Sequence, residues 1–265
     1  MKDSILSFQQ ALLPYYDSKR RDLPWRHLSE NEAERFYQVL VSEFMLQQTQ
    51  VSRVVDKYRS WLGKFPDLDT LAKASFQEVL SEWTGLGYSR RAKYLHDCAQ
   101  ILRRSGPPDS TIGLAVHKGI GSNTAGAILA YYKNLPTIFI ETNIRTVLFH
   151  HFYQDIAEVS DKDLCLLMVD LVDAINPRTW YWAMMDYGAD LKKSVHNISK
   201  SKHYKKQSTF EGSNRQLRSR LLRSLLVGPC TLEEALVCVE GKQIIIDTLH
   251  REGMVVRRSG QVSLS

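Results

Sequence analysis

One helical pattern ends and the next begins within Val-His-Lys-Gly-Ile-Gly-Ser-Asn-Thr-Ala-Gly-Ala-Ile-Leu-Ala, residues 116–130. The glycines in this stretch predict a turn between two helices. Two glycines around one apolar residue allow a tight turn whose backbone N–H groups point outward at a helix N-terminus. Residues that commonly begin helices follow directly. The turn therefore predicts a phosphate-binding site that needs no charged side chain, with a plain helix–helix turn as the alternative. Its candidate residues are Gly119, Gly121, Ser122 and Thr124.

A single acid, Glu141, lies about twenty residues beyond this turn. It stands between the apolar stretch 137–140 and the polar pair Thr142-Asn143. An acid at the boundary of an element, next to an anion-binding turn, is a candidate catalytic residue.

A second acid, Glu43, interrupts an otherwise apolar helix and is followed by Gln47-Gln48-Thr49-Gln50. A carboxyl buried on such a helix would have a raised pKa and could hold a proton near neutral pH, whereas an acid on the solvent face would not. Amide side chains beside it suit hydrogen bonds to base edges or insertion into a base stack. The stretch predicts a proton donor next to a nucleic-acid contact.

Two further segments combine aromatic and basic residues. Residues 83–91 form a second glycine turn with an apolar tip, Leu86, an aromatic, Tyr88, and the pair Arg90-Arg91. Stacking groups beside phosphate-binding charge suit nucleic acid, and a structural turn with a solvated basic face is the alternative. Trp25-Arg26 could likewise contact a base or phosphate, or could anchor a loop to the core.

Composition narrows the class of protein. The 265 residues can bury one large core or two smaller ones, and 35 Lys and Arg against 29 Asp and Glu give a net charge of +6, which mildly favours a nucleic-acid partner. The cysteines at 98, 165, 230 and 238 form no C-x-x-C pair and no metal-ligand spacing. We expect reduced thiols in a cytoplasmic protein without a signal peptide or membrane span.

Apolar spacing predicts helices over most of the chain. They are expected at 3–18, within 35–62 as a pair, and at 70–80, 91–104, 123–133, 142–152, 161–174 and 178–191. Residues 192–210 hold six lysines and no acid, which indicates a basic linker. Residues 213–265 predict three helices and a strand–turn–strand, the order of a winged-helix module that binds DNA or protein. The predicted parts are therefore a domain at 1–191, a linker at 192–212 and a module at 213–265.

Five motifs occur in one order between residues ~5 and 190 and together resemble a known family. They are Leu23-Pro24-Trp25-Arg26, the Ser-Glu-Phe-Met-Leu-Gln-Gln-Thr-Gln-Val string at 42–51, Trp-Thr-Gly-Leu-Gly-Tyr at 83–88, the glycine turn through Ile128, and Ala-Met-Met-Asp-Tyr-Gly at 183–188. The chain resembles the helix-hairpin-helix DNA glycosylases of the endonuclease III superfamily, and most closely the MutY-type adenine glycosylases. The resemblance implies a mostly α, two-lobed helix-hairpin-helix glycosylase fold, followed here by the small winged-helix-like α+β module.

The resemblance also implies roles for single residues. Glu43 would protonate N7 of a flipped adenine, Glu141 would stabilise the oxocarbenium-like sugar, and Asn143 would support that site. Other positions match residues that form the base pocket, wedge the duplex or touch the opposite base. They are Arg26, Gln48, Thr49, Leu86, Tyr88 and, at the position that differs among family members, Asn123.

The chain departs from the family at four places. Glu141 replaces the usual Asp, and the added methylene moves the carboxylate by roughly an ångström. Asn123 replaces the Lys of bifunctional members, so we expect no Schiff base and no lyase activity. Lys192-Lys193 stand where iron–sulfur cysteines would begin, so we expect no cluster, no metal and no cofactor. A small module replaces the usual domain that checks for 8-oxoguanine.

These observations predict a monofunctional glycosylase that removes adenine opposite 8-oxoguanine or guanine in base excision repair. Its expected partner is double-stranded DNA with a mismatched or damaged pair, and we expect a monomer near the nucleoid. Two alternatives stay open: the same fold acting on thymine, uracil or a damaged base, and a DNA-binding protein that has lost catalysis.

Overall fold

A computed structural model describes residues 2–201 and 209–265, and these contain fourteen α-helices and three β-strands. The helices are α1 Lys2–Lys19, α2 Glu32–Leu46, α3 Val51–Lys64, α4 Leu68–Lys73, α5 Phe76–Trp83, α6 Arg90–Ser105, α7 Thr111–Ala115, α8 Ser122–Lys133, α9 Thr142–Phe152, α10 Asp161–Leu171, α11 Pro177–Leu191, α12 Asn214–Val227, α13 Leu232–Cys238 and α14 Gln243–Arg251. The strands are β1 Cys230–Thr231, β2 Val255–Arg258 and β3 Gln261–Leu264. The prediction of a mostly helical chain is confirmed.

Local capping sets where several of these helices begin. The Ser75 side chain accepts a hydrogen bond from the amide of Glu78, and the Glu78 carboxylate accepts one from the amide of Ser75. This capping box begins α5 and separates it from α4, so the single helix predicted at 70–80 is wrong. Capping boxes also begin α10 at Ser160 and α13 at Thr231.

The chain divides into two compact units. The first comprises the described residues of Met1–Val39, Pro108–Val116 and Ile120–Lys206, and its core lies where α11 packs against α1, α8 and α9. Phe139 and Tyr181 stack there with their ring centroids 4.0 Å apart. A Cβ built at Gly126 would lie 3.0 Å from the Cβ of Phe139, so the glycine allows α8 to approach this core closely.

The second unit comprises the described residues of Leu40–Pro107, His117–Gly119 and Gln207–Ser265. Helix α6 packs on α4 and α5, and Trp61 meets Trp83 edge to face. The C-terminal part of this unit has the predicted winged-helix order, with β2 and β3 paired antiparallel. Strand β1, a two-residue strand that was not predicted, pairs with β3 and gives the sheet order β1-β3-β2.

The division by contacts differs from the predicted parts, because residues 213–265 fall into the same unit as α3–α6. Part of the predicted basic linker is packed rather than extended. Asn197 donates to the carbonyl oxygen of Thr146, and Ser201 forms an isolated bridge with Val159. Residues 202–208 of that linker lie outside the described residues. The boundaries at 191 and 213 stay predictions.

None of the helices formed by the described residues is both long enough and apolar enough to span a bilayer.

Candidate active site

The glycine turn before α8 is fixed by the space around Gly119. Its φ is +87°, in the region that side chains disfavour, and an added Cβ would lie 2.8 Å from ring carbons of Phe44 and Tyr94. Gly121 then caps α8 without a side chain and is exposed together with Ser122 and Asn123. The first backbone amides of α8 therefore lie at the positive end of the helix dipole. This is the arrangement that the predicted anion-binding site requires.

Asn123 links the start of α8 to the segment before the candidate acid. Its Oδ1 accepts a hydrogen bond of 3.0 Å from the amide of Ile140, the residue that precedes Glu141. The side chain of Asn123, a predicted substrate-binding residue, is therefore held by a hydrogen bond within the protein. Asn123 acts in this structure as a positioning residue for the chain that leads to Glu141.

Glu141 is the N-cap residue of α9 and is only partly exposed. Burial raises the pKa of its carboxyl, the positive charges of Arg145 and Lys192 lower it, and the result is a pKa above the ordinary value. Arg145 follows Glu141 by one helical turn and also pairs with Asp161. When it is ionised, this carboxylate can stabilise a positive charge that develops beside it.

Asn143 is held by the close approach of two helices. Its Nδ2 donates 3.0 Å to the carbonyl oxygen of Met185 on α11. A Cβ at Gly188 would lie 2.3 Å from the carbonyl oxygen of Asn143, so only glycine permits this contact. The predicted support residue is thus fixed beside Glu141 by a hydrogen bond and by the backbone of α11.

Arg26 lies in a buried ion pair rather than in an open base pocket. Its two Nη atoms donate to the Asp186 carboxylate at 2.8 and 2.7 Å, and Arg21 donates to the same group through its amide and its Nε at 2.9 and 2.6 Å. The side chains of Arg26 and Asp186 are 8% and 1% exposed. Trp25 beside it is buried, so the loop-anchor interpretation of Trp25-Arg26 is the one that the structure supports.

Glu43 is buried on α2, with 8% of its surface exposed, between apolar neighbours that include Phe44 and Met45. The alternative of an acid on a solvent-facing helix surface is therefore wrong. Gln47 directly follows α2, and its Nε2 donates a hydrogen bond of 3.0 Å to the carbonyl oxygen of Gly119. This bond connects the end of α2 to the glycine turn at Gly119.

The predicted wedge residues lie together in the second unit. Gln48 and Tyr88 have φ values of +55° and +47°, a conformation that non-glycine residues rarely adopt and that clusters at functional sites. Thr49 donates through Oγ1 to the carbonyl oxygen of Leu86. Leu86 is only 4% exposed, which corrects its description as an apolar tip: its side chain packs inward and its carbonyl holds the turn.

Arg91 does not offer its charge to a phosphate in this structure. Its guanidinium is buried and donates to five acceptors: the carbonyl oxygens of Phe44, Met45, Leu86 and Gly87, and the hydroxyl of Thr49. Burial lowers its pKa to about 10, which still leaves it charged at neutral pH. This corrects the predicted phosphate contact of Arg91, whereas Arg90 is more exposed and pairs with Glu252.

We expect Arg91→Lys to destabilise the protein by about 3 kcal/mol, because an ammonium group cannot satisfy acceptors arranged around a planar guanidinium. Chemical denaturation of the parent and the variant measures this difference. Arg59→Lys, which changes an exposed arginine on α3, is the matched control and should stay within ~0.5 kcal/mol of the parent. A variant at position 91 as stable as that control would contradict the structural role.

Three residues of this region, Arg145, Lys192 and Asp186, were not among the predicted site residues. Arg145 could have been found from the sequence, because it follows Glu141 by four residues and side chains at this spacing are neighbours on a helix. Lys192 and Asp186 lie near their partners, Glu141 and Arg26, only because α11 packs in the first unit. A local sequence pattern does not reveal this packing.

The residues that follow Gly188 do not fit an iron–sulfur cluster. Residues 189–201 contain no cysteine, and thiolates are the usual ligands of such clusters. Cys98 is buried in the second unit, and the described residues include no group of three or more His, Cys, Asp or Glu side chains arranged to hold a metal ion. The donor set therefore does not match the group that the family resemblance implies.

Comparisons with known proteins place these features in a family. The profile of the HhH-GPD superfamily base excision DNA repair proteins matches residues 41–167. The chain is 39% identical over 185 residues to an adenine DNA glycosylase of Mycolicibacterium smegmatis, covering 67% of this chain and 61% of that protein. It is 36% identical over 195 residues to the adenine DNA glycosylase of Mus musculus, covering 70% of this chain and 38% of that protein.

The chain thus spans between about a third and two thirds of the length of these relatives. A solved thermostable thymine-DNA glycosylase is similar in fold, with a TM-score of 0.62 at 22% identity over 71% of this chain and 87% of that one. The matched residues contain Glu43, the two glycine turns and Glu141. This protein carries a domain of the HhH-GPD superfamily of base excision DNA repair proteins.

Proposed function

We propose that the protein is a monofunctional DNA glycosylase that hydrolyses the N-glycosidic bond of adenine paired with 8-oxoguanine or guanine, after flipping that adenine out of the duplex. The observation that carries the proposal is the buried Glu43 inside the Ser-Glu-Phe-Met-Leu-Gln-Gln-Thr string at 42–49. That string is the motif most specific to the adenine branch of the family. Relatives named adenine DNA glycosylase add support.

The proposed chemistry uses two acids in different states. Glu43 donates a proton to N7 of the extruded adenine, so that the bond from C1′ to N9 can break with its electron pair leaving on a neutral base. The ionised Glu141 stabilises the positive sugar and accepts a proton from the water that attacks C1′. Free adenine and an abasic site are the products.

The glycosylase is proposed to act without lyase chemistry and without a cofactor. Asn123 supplies no amine at the position used by bifunctional members, so borohydride should trap no covalent adduct with DNA. We also expect purified protein to lack the visible absorbance of an iron–sulfur cluster, because residues 189–201 offer no thiolate ligands. A coloured, iron-containing preparation would contradict this second expectation.

The proposed partner is a duplex with a mismatched or damaged pair, bound by a monomer in the cytoplasm at the nucleoid. The net charge of +6 favours such binding, and the apparent affinity should weaken steeply as salt rises. An affinity that is insensitive to salt would contradict binding through phosphate contacts.

Excision assays on duplexes with A:8-oxoG, A:G, T:G and U:G pairs test the proposal. We expect cleavage of the two adenine duplexes after alkaline treatment and none of the others. Cleavage of T:G or U:G alone would favour the alternative glycosylase, for which Glu141 in place of Asp and the unusual Asn123 are the motivating differences. An absence of all four activities would favour the DNA-binding protein without catalysis.

A further inference from the structure

Lys192 directly follows helix α11 and lies on the face of that helix that meets the start of α9. Its amide donates a hydrogen bond of 3.1 Å to the carbonyl oxygen of Gly188, one turn earlier. A Cβ at Gly188 would lie 2.3 Å from the carbonyl oxygen of Asn143, in the first turn of α9. Because residues four apart share one face of a helix, this packing brings Lys192 toward Glu141, the N-cap residue of α9.

The charges of Lys192 and Glu141 act on each other. The positive charge of Lys192 lowers the pKa of the Glu141 carboxyl, against the burial that raises it. Although Lys192 as a whole is exposed, burial of its ammonium lowers the pKa of that group, and the charge of Glu141 raises it. These two described residues form no direct ion pair, so their attraction acts at longer range.

Arg145, the other cation near Glu141, shares its charge with an acid of the first turn of α10. Its guanidinium donates to both carboxylate oxygens of Asp161, at 3.1 and 2.6 Å. A guanidinium bound in this way to one carboxylate has less influence on another. Lys192 has no such partner among the carboxylates of the described residues, so its charge is directed to Glu141 alone.

Other charged groups of the elements that pack on α9 are engaged elsewhere. On α11 and in the turn at 198–200, Asp186 binds Arg26, Asp190 binds Tyr15, Arg178 binds the carbonyl oxygen of Tyr132, and Lys200 binds that of Tyr153. On α9 itself, His150 and His151 lie in the last turn, at the end opposite Glu141. Lys192 and Arg145 are therefore the charged groups that face Glu141 within the described part of the first unit.

We propose that Lys192 is a positioning residue for the glycosylase reaction, whose ammonium keeps Glu141 in the carboxylate form that acts on the sugar. A buried carboxyl without a compensating charge retains its proton, and in that form it offers neither a negative charge to the sugar nor a base to the attacking water. The role uses the ammonium and not a free amine, so it agrees with the expected absence of a Schiff base. The inference rests on the proposed function, because the ionisation of Glu141 matters to the rate only if that acid takes part in catalysis.

The first test follows the pH dependence of base release by the full chain. Single-turnover release of adenine from an A:8-oxoG duplex is measured from the acid to the alkaline range for the parent, Lys192→Met and Lys192→Arg. Loss of the nearby positive charge in Lys192→Met should move the acid limb of the profile upward by roughly one pH unit. On that limb this variant should be about tenfold slower than the parent, and the difference should shrink as the pH rises.

Lys192→Arg retains the charge on a long side chain and should keep the acid limb of the parent. Lys193→Met is the matched control, because it removes the same charge from the next residue, whose exposed ammonium pairs with Asp190. It should leave both the limb and the rate unchanged. Binding to a duplex with an abasic analogue, measured at several salt concentrations, shows whether Lys192 contacts phosphate instead.

The second test needs no catalysis. Thermal melts of the parent, Lys192→Met, Glu141→Gln and the double variant form a double-mutant cycle. Because the folded-state pKa of Glu141 is raised, its ionised form opposes folding, and loss of Lys192 should enlarge that cost. Lys192→Met should therefore lower the melting temperature at neutral pH when residue 141 is Glu, but not when it is Gln. The difference should vanish on acidification below the ordinary carboxyl pKa, where Glu141 is protonated in both states.

Three results would overturn the inference. They are an acid limb of Lys192→Met that coincides with the parent's, an effect on melting that is the same with Glu or Gln at 141, and a loss of rate that is equal at every pH and accompanied by weaker, less salt-dependent binding.

Failure of the proposed function looks different. If the parent releases no base but the melts show coupling that grows with pH, Lys192 stabilises the charge on Glu141 and the proposed catalysis is wrong. If the parent releases adenine and the melts show no coupling, only the role of Lys192 is wrong.

Discussion

Glu43→Gln is expected to lower the single-turnover rate of base release by about 10²–10⁴-fold, because an amide cannot supply the proton that makes adenine a good leaving group. Glu141→Gln is expected to cause a loss of similar size, because it removes the negative charge from beside the sugar. Both variants should still bind a duplex with an abasic analogue. Rapid-quench measurements with enzyme in excess give the rates without the contribution of product release.

The Glu141 variant should also separate activity from stability. The folded-state pKa of Glu141 is raised, so the folded protein binds protons more readily than the unfolded chain, and ionised Glu141 opposes folding above its ordinary pKa. Stability contributed by the protonated form is lost as the pH rises through the raised value. Glu141→Gln should therefore melt at or above the parent's temperature at neutral pH.

The matched control for both acids is Glu30→Gln, which removes an exposed carboxylate from the first unit. It should leave the rate of base release and the melting temperature unchanged. The parent's rate should fall on acidification at a pH above the ordinary carboxyl range, since Glu141 must be ionised to act. If both glutamine variants keep the parent's rate in every activity found, neither acid is catalytic.

Asp186→Ala is expected to destabilise the protein by about 3–5 kcal/mol. The carboxylate receives hydrogen bonds from both Arg21 and Arg26, and its removal leaves the buried guanidinium of Arg26 without a counter-ion. An unpaired buried charge costs far more than a lost surface pair. Equilibrium unfolding in urea measures the change in the free energy of unfolding.

Asp56→Ala provides the comparison for that experiment, since Asp56 faces Arg59 at 3.6 Å and is 92% exposed. Its effect should stay below ~1 kcal/mol. Burial raises the pKa of Asp186, but hydrogen bonds and charge from its two arginines bring it below the ordinary value. Its contribution is therefore complete at neutral pH and is lost as the pH falls through the acid range. Equal effects of the two alanine variants would contradict a buried, stabilising ion pair.

Most of the helices and most of their boundaries could be predicted, because apolar spacing and capping residues are local signals, but the short helix α7 at Thr111–Ala115 was not. The helix at 70–80 shows the limit: the apolar stripe of Leu71, Phe76 and Leu80 continues across the break, while Ser75 and Glu78 form a capping box that divides it. The strand at Cys230 was missed for another reason. Two residues carry no periodicity, and their pairing with Val262 depends on a distant part of the chain.

The candidate site could be predicted only as a set of residue types. The burial of Glu43 follows from the apolar helix around it, and that expectation is confirmed. Arg91 was assigned to phosphate because arginines beside a glycine turn usually face solvent, yet five acceptors within the second unit take its guanidinium. Asn123 and Arg26 are likewise engaged by partners more than fifteen residues away, at Ile140 and Asp186. Such long-range hydrogen bonds leave no trace in local sequence patterns.

The most direct measurement of the central claim is the release of free base from a duplex with a single A:8-oxoG pair, followed by chromatography with enzyme in excess. We expect stoichiometric release of adenine by the parent protein, and a much slower release by Glu43→Gln. Release of a different base from a matched mismatch panel, or no adenine from a protein that binds this duplex, would contradict it.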